Sequence, residues 1–434
     1  MKRNRNVLRA VLIISAGILL CFAGQSAQAT TVQVGGCLAG LVNFTTIQAA
    51  VTASPTGTII KICPGNYPEQ VTITKNGITL LGVTFGTADN PVITSPTGGV
   101  IQNTTSLATG NPIGAQILVG GTSAPALTGV NITGIAVDGS NNQLSGCGAP
   151  TLIGIFYQNA SGTITQVATR HQTLDVGDAG CQNGLGIFVQ SGNALTSTVT
   201  VQGSSVHSYQ KNGITGNEAG TTITVAGNDI VGQGSTTGAA ENGIQIGFGA
   251  TGKISSNSVA DDIWSPDTIS DTGDAASGIL VYAAAPATLS DVISSNIVAS
   301  TQFGIAVVTD LTSGPAADAW PITANRVSGT RIFDGIDVCS DGNTVKSNAV
   351  FGSDESGIHL DSTCGGATGS SNTVENNTIN EACAGIMIGT GASGNTATPN
   401  TIHNSGNTIL VADSCAAPVF SKTGRRSKPV PIRP

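Results

Sequence analysis

Aromatic residues are scarce in this 434-residue chain, at 4%, and charged residues amount to only 10%. The chain has four histidines, two tryptophans and two methionines. The cations are few and badly placed for a polyanion. Lys2, Arg3, Arg5 and Arg9 open the sequence, leaving 13 of the 17 basic residues against 25 acids, a balance of −12. Lys422, Arg425, Arg426, Lys428 and Arg433 crowd the last fourteen residues, "SKTGRRSKPVPIRP", so only eight Lys and Arg serve the body. A nucleic-acid face needs clustered cations, so nucleic acid is excluded as a partner. No close Cys-x-x-Cys pair occurs, which argues against a structural zinc site. No amphipathic helical pattern separates the apolar stretches either, which removes βαβ architectures.

The first residues carry a different message. After the four cations comes an apolar run from Val11 to about Gly24, then Ala27-Gln28-Ala29 with small residues at both cleavage-site positions. That is the pattern of a secretory signal, too short in its apolar part to span a bilayer comfortably. Cys21 lies within it, but Leu20 stands where a lipoprotein signal wants a small residue. Residues 1–29 are therefore read as a signal and the mature chain as starting near Thr30, secreted or periplasmic, with no later membrane insertion. Eight cysteines remain: Cys37, Cys63, Cys147, Cys181, Cys339, Cys364, Cys383 and Cys415. An even number in an exported chain reads as disulfides. The tail from 421 onward, with three prolines and little to bury, reads as disordered.

Glycine is abundant, at 58 residues, and much of it belongs to a repeat. One phrase, Gly-Ile-x-apolar, occurs at Gly134, Gly154, Gly186, Gly243, Gly278, Gly304, Gly335, Gly357 and Gly385, with a degenerate copy at Gly213. A second, apolar-x-x-Asn-x-apolar, centres on Asn228, Asn257, Asn296, Asn325, Asn348 and Asn377. In this part of the chain the two alternate. Each phrase has the period-2 pattern of a short strand, and a unit this small cannot fold alone, so the coils must stack. The predicted fold is all-β: one single-stranded right-handed parallel β-helix over residues 30–420. About twelve to thirteen coils spaced by about 4.8 Å make a rod about 60 Å long. Stacked Asn amides would hydrogen-bond along the axis; the plainer alternative is that each Asn only tolerates a left-handed turn. Cys37 and Cys63 are 26 residues apart and Cys339 and Cys364 are 25 apart, close to one coil. Consecutive pairing of the cysteines is therefore expected. Exposed strand edges at both ends need covers. "TTIQAAVTA" (45–53) reads as a capping helix with Thr45 and Gln48 at capping-box spacing and Ile47, Ala50 and Val51 on its apolar face. The rear cover is sought between "NTILVADSC" and Phe420.

The stretch "TIQAAV…GTIIKICPGNYPEQVTI…NGITLLG" resembles the opening of the pectin-lyase-like β-helix superfamily, notably pectinesterases. The later copies resemble its generic right-handed β-helix region, so the likeness spans most of residues 40–410. The catalytic phrases of that superfamily are missing. Pectinesterases imply Gln-Asp-Thr and Asp-Phe-Ile-Phe; the nearest stretch here is "HQTL" (171–174), without the Asp. The Asn-Thr-Asp, Gly-His-Gly and Arg-Ile-Lys phrases of polygalacturonases are absent. Pectate lyases imply calcium-binding acids and a basic residue that removes a proton alpha to a carboxylate. The Tyr-Gly-Ile-Asp-Pro-His-Asp phrase of alginate epimerases is echoed by "FDGIDVCSD", which lacks Pro and His. Copper handling, implied by some β-helix relatives, is not expected with Met387 as the one methionine beyond the signal.

Two neighbouring copies, "DGIDVCSD" and "SGIHLDST", place ionisable groups where other copies have apolar or uncharged ones. In Gly-Ile-x-apolar the Ile and the last residue face inward, so x faces outward. Asp337, His359 and Asp361 then share one face, with Asp310, Asp334, Asp341, Asp354 and Glu355 at the strand ends or in adjoining turns. Asp337 or His359 would act as acid or base, Asp361 would orient His359, and Arg331 or Lys346 would neutralise a substrate carboxylate. Asp334, Asp337 and Asp361 would hold calcium. The insertion 260–274, with Asp261, Asp262, Asp267, Asp271 and Asp274, carries Trp264, and the insertion 309–321 carries Trp320. With Tyr282 these aromatics are candidates for stacking on sugar. The expected role is binding or modifying an acidic polysaccharide, as a calcium-assisted lyase or epimerase. The alternatives are that these are ordinary solvated residues of an acidic exported protein, and that the chain is a non-catalytic binding or scaffold rod. Trp264, Trp320 and the acidic column lining one groove would favour the enzyme; their scatter over different faces would favour the rod.

Overall fold

The structure, a computed structural model, describes residues 30–85, 90–123, 125–175, 179–265, 274–415, 428–429 and 431–433. Residues 1–29, read from the sequence as a signal, Asp267 and Asp271, residues 416–420 of the expected rear cover, and the tail residues 421–427 lie outside them. Within them the chain winds into a right-handed parallel β-helix with one helix, Ile47–Ala53. No helix is long and apolar enough to cross a membrane.

One coil shows how the two phrases build the rod. Strand Thr251–Ser255 belongs to a thirteen-stranded sheet; the chain turns at Asn257 and continues as strands Ser258–Trp264 and Ser277–Tyr282, both in a twenty-three-stranded sheet. Neighbouring coils pair in parallel and in register: Gln245 lies opposite Leu280, Leu280 opposite Ala306, Ala306 opposite Asp337, and Asp337 opposite His359. Ile336, Val338, Ile358 and Leu360 are fully buried in one continuous core, as the inward alternation requires.

The asparagines form a ladder. Nδ2 of Asn228, Asn257, Asn296, Asn325, Asn348 and Asn377 each donates to Oδ1 of the asparagine one coil on, at 2.9–3.0 Å, ending at Asn400. The second Nδ2 proton goes to a strand carbonyl of the preceding coil, as from Asn296 to Ile254 at 3.1 Å. The left-handed residue of these turns is the one before the asparagine (Ser256, Ser295, Ala324, Ser347, Asn376), with φ of 55–60°. Turn tolerance therefore does not explain the asparagines; their buried amides need each other.

The glycine of Gly-Ile has an equally physical cause. A Cβ on Gly304 would lie 2.3 Å from the Gly335 carbonyl oxygen of the next coil and 2.3 Å from Val327 Cγ1. Gly243, Gly278, Gly335, Gly357 and Gly385 meet the same kinds of neighbour, including Val259, Val298, Val350, Ile379 and Ile402. The last apolar residue of the Asn phrase thus packs on the glycine of the Gly-Ile phrase, which locks the two repeats together.

The disulfides pair consecutively: Cys37–Cys63, Cys147–Cys181, Cys339–Cys364 and Cys383–Cys415. The helix buries Ile47, Ala50 and Val51 as read from the sequence, but its capping box does not form. Thr46 is the N-cap, and the Glu69 carboxylate accepts from the amides of Ile47 and Gln48 at 2.8 Å each, a favourable place for an anion. Gln48 instead uses its side chain on the backbone of Thr72. At the rear, strand Asn407–Val411 leaves Ile409 48% and Val411 69% exposed. The tail read as disordered is seated at its far end: Ile432 is 2% exposed among apolar side chains of the outward face.

Candidate acidic–imidazole site

The outward column of the Gly-Ile strands changes chemistry along the rod. In register it reads Leu118, Phe156, Phe188, Thr215, Gln245, Leu280, Ala306, Asp337, His359, Met387. Phe156 and Phe188 stack at 4.9 Å, and Leu280, Ala306, Phe303 and Phe333 belong to an apolar cluster outside the main core. All ten residues of the column are buried. Ionisable groups enter it only at Asp337 and His359.

A third group joins them from the turn ahead of Gly335. Asp334 Oδ2 lies 3.3 Å from His359 Nδ1, and Asp334 Oδ1 accepts from the Ser356 amide at 3.0 Å and from its hydroxyl at 2.6 Å. Donor atoms of Asp334, Asp337 and His359 all fall within 4.8 Å of one another. The stacking is what assembles them: Asp334 precedes Gly335 at the offset at which Ser356 precedes Gly357. The contact to Nδ1 fixes the imidazole ring. Two carboxylates and one imidazole are a hard-to-borderline donor set for a divalent cation.

A family model described as "NosD: Periplasmic copper-binding protein (NosD)" matches residues 316–425, the part that holds this cluster. No curated protein sequence matches the chain. Among solved structures, the GH136 lacto-N-biosidase from Eubacterium ramulus is 11% identical, with 88% of this chain and 68% of that one covered at a TM-score of 0.54. The family 28 exopolygalacturonase of Yersinia enterocolitica is 12% identical, covering 89% and 79% at 0.53. The catalytic domain of a GH87 alpha-1,3-glucanase in complex with nigerose is 12% identical, covering 91% and 67% at 0.53. The fold is that of the pectin-lyase-like parallel β-helices. At such identities the likeness is one of fold, and the four disulfides of this β-helix fit an oxidising compartment.

The β-helix gathers only some of the residues singled out from the sequence. Asp361 is not in the cluster: its Oδ1 accepts from the Thr363 amide and hydroxyl in a local turn, beside the Cys339–Cys364 disulfide. Lys346 lies in the other sheet, 2.6 Å from Glu375, and so cannot serve this face. Arg331 is exposed in the turn three residues ahead of Asp334. Trp320 is a core residue, fully buried, with Nε1 donating to the Ala285 carbonyl at 3.2 Å. Buried in the core, Trp320 is not placed to stack on sugar. Trp264 is half-buried at the end of strand Ser258–Trp264. Tyr282 packs on Phe248 and gives its hydroxyl proton to Asp310. Burial and that contact push the phenol up to about 12. Burial alone would raise Asp310; hydrogen bonds from Thr312, Tyr282 and Ser313 outweigh it and hold its carboxyl below the ordinary range. Asp341 caps the turn at Thr368 and Ser370, Asp354 accepts from the Ile332 amide, and Glu355 from the Cys415 amide.

A second buried cluster escaped the sequence reading. Tyr209, Lys211, Glu241 and Asp262 are all buried. The Tyr209 hydroxyl donates to Asp262 at 2.6 Å, Lys211 Nζ to the Ala240 carbonyl, and the Gln233 side chain to Glu241 at 3.1 Å. Burial raises the carboxyl pKa of both acids well above the ordinary value; for Glu241 the Asp262 charge adds to it, and Lys211 opposes the shift in both. An acid whose folded pKa is raised contributes stability that is whole below its unfolded pKa and is lost as pH rises toward the folded value. Asp262→Asn, which keeps an oxygen for Tyr209, is expected to raise the melting temperature relative to wild type at about pH 8 and to lose that advantage at about pH 4. Thermal scans across this range check it; an equal change at both ends contradicts it.

Proposed function

We propose that this exported β-helix binds an acidic polysaccharide on the side of the rod that carries the outward column of the Gly-Ile strands and acts on it at Asp334, Asp337 and His359. These groups are buried in this structure and must be uncovered for a polymer to reach them. The observation that carries the reading is the convergence of two carboxylates and an imidazole, donor atoms within 4.8 Å, in a column otherwise free of ionisable groups. The fold supports it: an exopolygalacturonase and an alpha-1,3-glucanase share it.

Asp334 and Asp337, with His359, would hold a divalent cation. Such a cation would neutralise a uronate carboxylate and acidify the proton alpha to it. Calcium prefers an all-oxygen shell, and with Asp361 committed to its own turn the imidazole shifts the preference toward manganese or zinc. Copper belongs in the same comparison because the matching family is described as copper-binding. In a cation-free lyase or epimerase step His359, oriented by Asp334 through Nδ1, would instead take the proton alpha to the carboxylate at Nε2, and a protonated Asp337 would give one to the ring or the leaving oxygen. Arg331, exposed three residues ahead of Asp334, is the nearest basic residue in sequence for a second carboxylate.

One observation favours a second reading. Trp320 lies in the core and Lys346 on the other sheet, so the full set of groups expected of a lyase groove is not on one face. A non-catalytic rod that binds acidic glycan through the same cluster needs neither. The experiment incubates the protein with pectate, alginate and neutral glucans, alone and with calcium, manganese, zinc or copper. Unsaturated product is followed by ultraviolet absorbance, epimerisation by NMR and binding by calorimetry. Turnover of a uronate polymer that falls at least about 100-fold in His359→Ala is the expected result. Binding without turnover selects the rod, and silence toward every uronate with every ion contradicts both.

A further inference from the structure

The far end of the chain is built into the outward face. Lys428–Pro429 pairs in parallel with Asp274–Ala275. Beyond it, the Gln245 side chain takes both backbone groups of Ile432: the Ile432 amide donates to Oε1 at 2.8 Å, and Nε2 donates to the Ile432 carbonyl at 2.9 Å. Asn217 Nδ2 adds a third bond to that carbonyl at 2.6 Å. The Ile432 side chain packs among Ile153, Phe156, Leu185 and Phe188. Arg433 forks onto Glu218, Nε to Oε1 at 2.8 Å and Nη2 to Oε2 at 2.7 Å, and its guanidinium lies 4.8 Å over the Phe248 ring. Ile432 and Arg433 also line a cavity of about 530 Å³ that reaches the Cys147–Cys181 disulfide.

These are the elements of peptide recognition. An amide that pairs with both the N–H and the C=O of one residue imitates a neighbouring strand, and an apolar pocket beside it reads the side chain. A buried carboxylate meeting a guanidinium fork, with an aromatic ring under its face, selects arginine over lysine. We propose that Asn217, Glu218, Gln245 and Phe248 form a groove selective for an apolar–arginine pair, filled in cis by Ile432–Arg433, and that the seated tail competes with polysaccharide for this face. The second clause rests on the polysaccharide reading above; the first stands without it. Gln245, Leu280, Ala306 and Asp337 are successive register partners, so Asp337 is three coils, about 14 Å, from the tail's clamp. A glycan on Asp337 and His359 that extends toward the front of the rod meets Ile432 within that distance.

The test uses the full chain as wild type, Arg433→Glu and Ile432→Asp, with a labelled peptide SKPVPIRP as probe. Exchange of the Ile432 amide in wild type is expected to be slow and to accelerate at least about ten-fold in Arg433→Glu. The peptide is expected to bind both variants in trans and not wild type. Unchanged exchange in Arg433→Glu, or peptide binding that is equal in all three proteins or absent from all, overturns the groove. A uronate oligomer is expected to bind Arg433→Glu at least about three-fold more tightly than wild type. Equal affinity overturns the competition while leaving the groove supported. Absence of uronate binding from every protein, with the peptide result intact, overturns the polysaccharide reading and the competition with it.

Discussion

Asn325→Ala is expected to destabilise the protein by about 3–6 kcal/mol, far more than its single side chain suggests. Asn325 is buried and uses every polar atom of its amide: Nδ2 donates to Asn348 Oδ1 and to the Ile293 carbonyl, both at 3.0 Å, while Oδ1 accepts from Asn296 Nδ2 at 2.9 Å and from the Asn296 amide at 3.0 Å. Alanine leaves two donors of Asn296 and the Ile293 carbonyl, all on the preceding coil, without their partner in a place closed to solvent, while Asn348 Oδ1 keeps the Asn325 amide. Each orphaned group costs about 1–3 kcal/mol. Asn404→Ala supplies the control, because its amide bond to Asn380 is exposed; that loss and the poorer fit of alanine to its left-handed backbone at φ 51° are together expected to cost about 1 kcal/mol. Denaturant unfolding compares the two. A cost below about 1 kcal/mol at Asn325 would show that the ladder is ornamental.

Gly304→Ala is the second large effect, expected at about 3 kcal/mol or more. The backbone of Gly304 is not left-handed, so conformational freedom is not what it supplies. The new methyl would meet the Gly335 carbonyl and Val327 Cγ1, each at 2.3 Å. The valine can turn; the carbonyl belongs to the coil above and moves only if the ladder opens. Gly227→Ala makes the contrast. That glycine is left-handed at φ 65° with nothing within 4 Å of the added carbon, so its cost is the backbone term alone, about 1 kcal/mol. Equal losses at the two positions would contradict the close-approach account.

What could be read without coordinates was whatever the repeat itself encodes. The alternating phrases gave the stacking, the Asn offset gave the ladder, and one-coil spacing paired the cysteines. Stacking then put Asp337 opposite His359. The misses among the charged residues share a cause: a side chain with a nearer partner than the one imagined. Asp361 and Asp310 each precede a threonine by two residues, and both carboxylates turn to that threonine. Lys346 stands opposite Glu375 in successive copies of the Asn phrase, "TVKSN" and "TVENN", and opposite charges at one repeat offset pair across coils. The same signal announced the cluster that was missed. Lys211 and Glu241 precede "NGI" in adjacent coils, "KNGI" and "ENGI", so their charges are stacked by the fold. Trp320 was misplaced for a different reason, since nothing in an insertion marks which residue returns to the core. Composition also hid the tail's docking, because two residues, Ile432 and Arg433, hold it and no average over fourteen residues registers them.

The site depends on one fact, that residues 25 positions apart, Asp334 and His359, are in direct contact because two coils are stacked in register. A double-mutant cycle tests it. Asp334→Ala, His359→Ala and the double variant are unfolded in denaturant, and the coupling between the two changes is measured. A coupling of about 1 kcal/mol or more is predicted. Losses that add to within about 0.3 kcal/mol would mean that the two side chains do not meet, and the acidic–imidazole site would not exist.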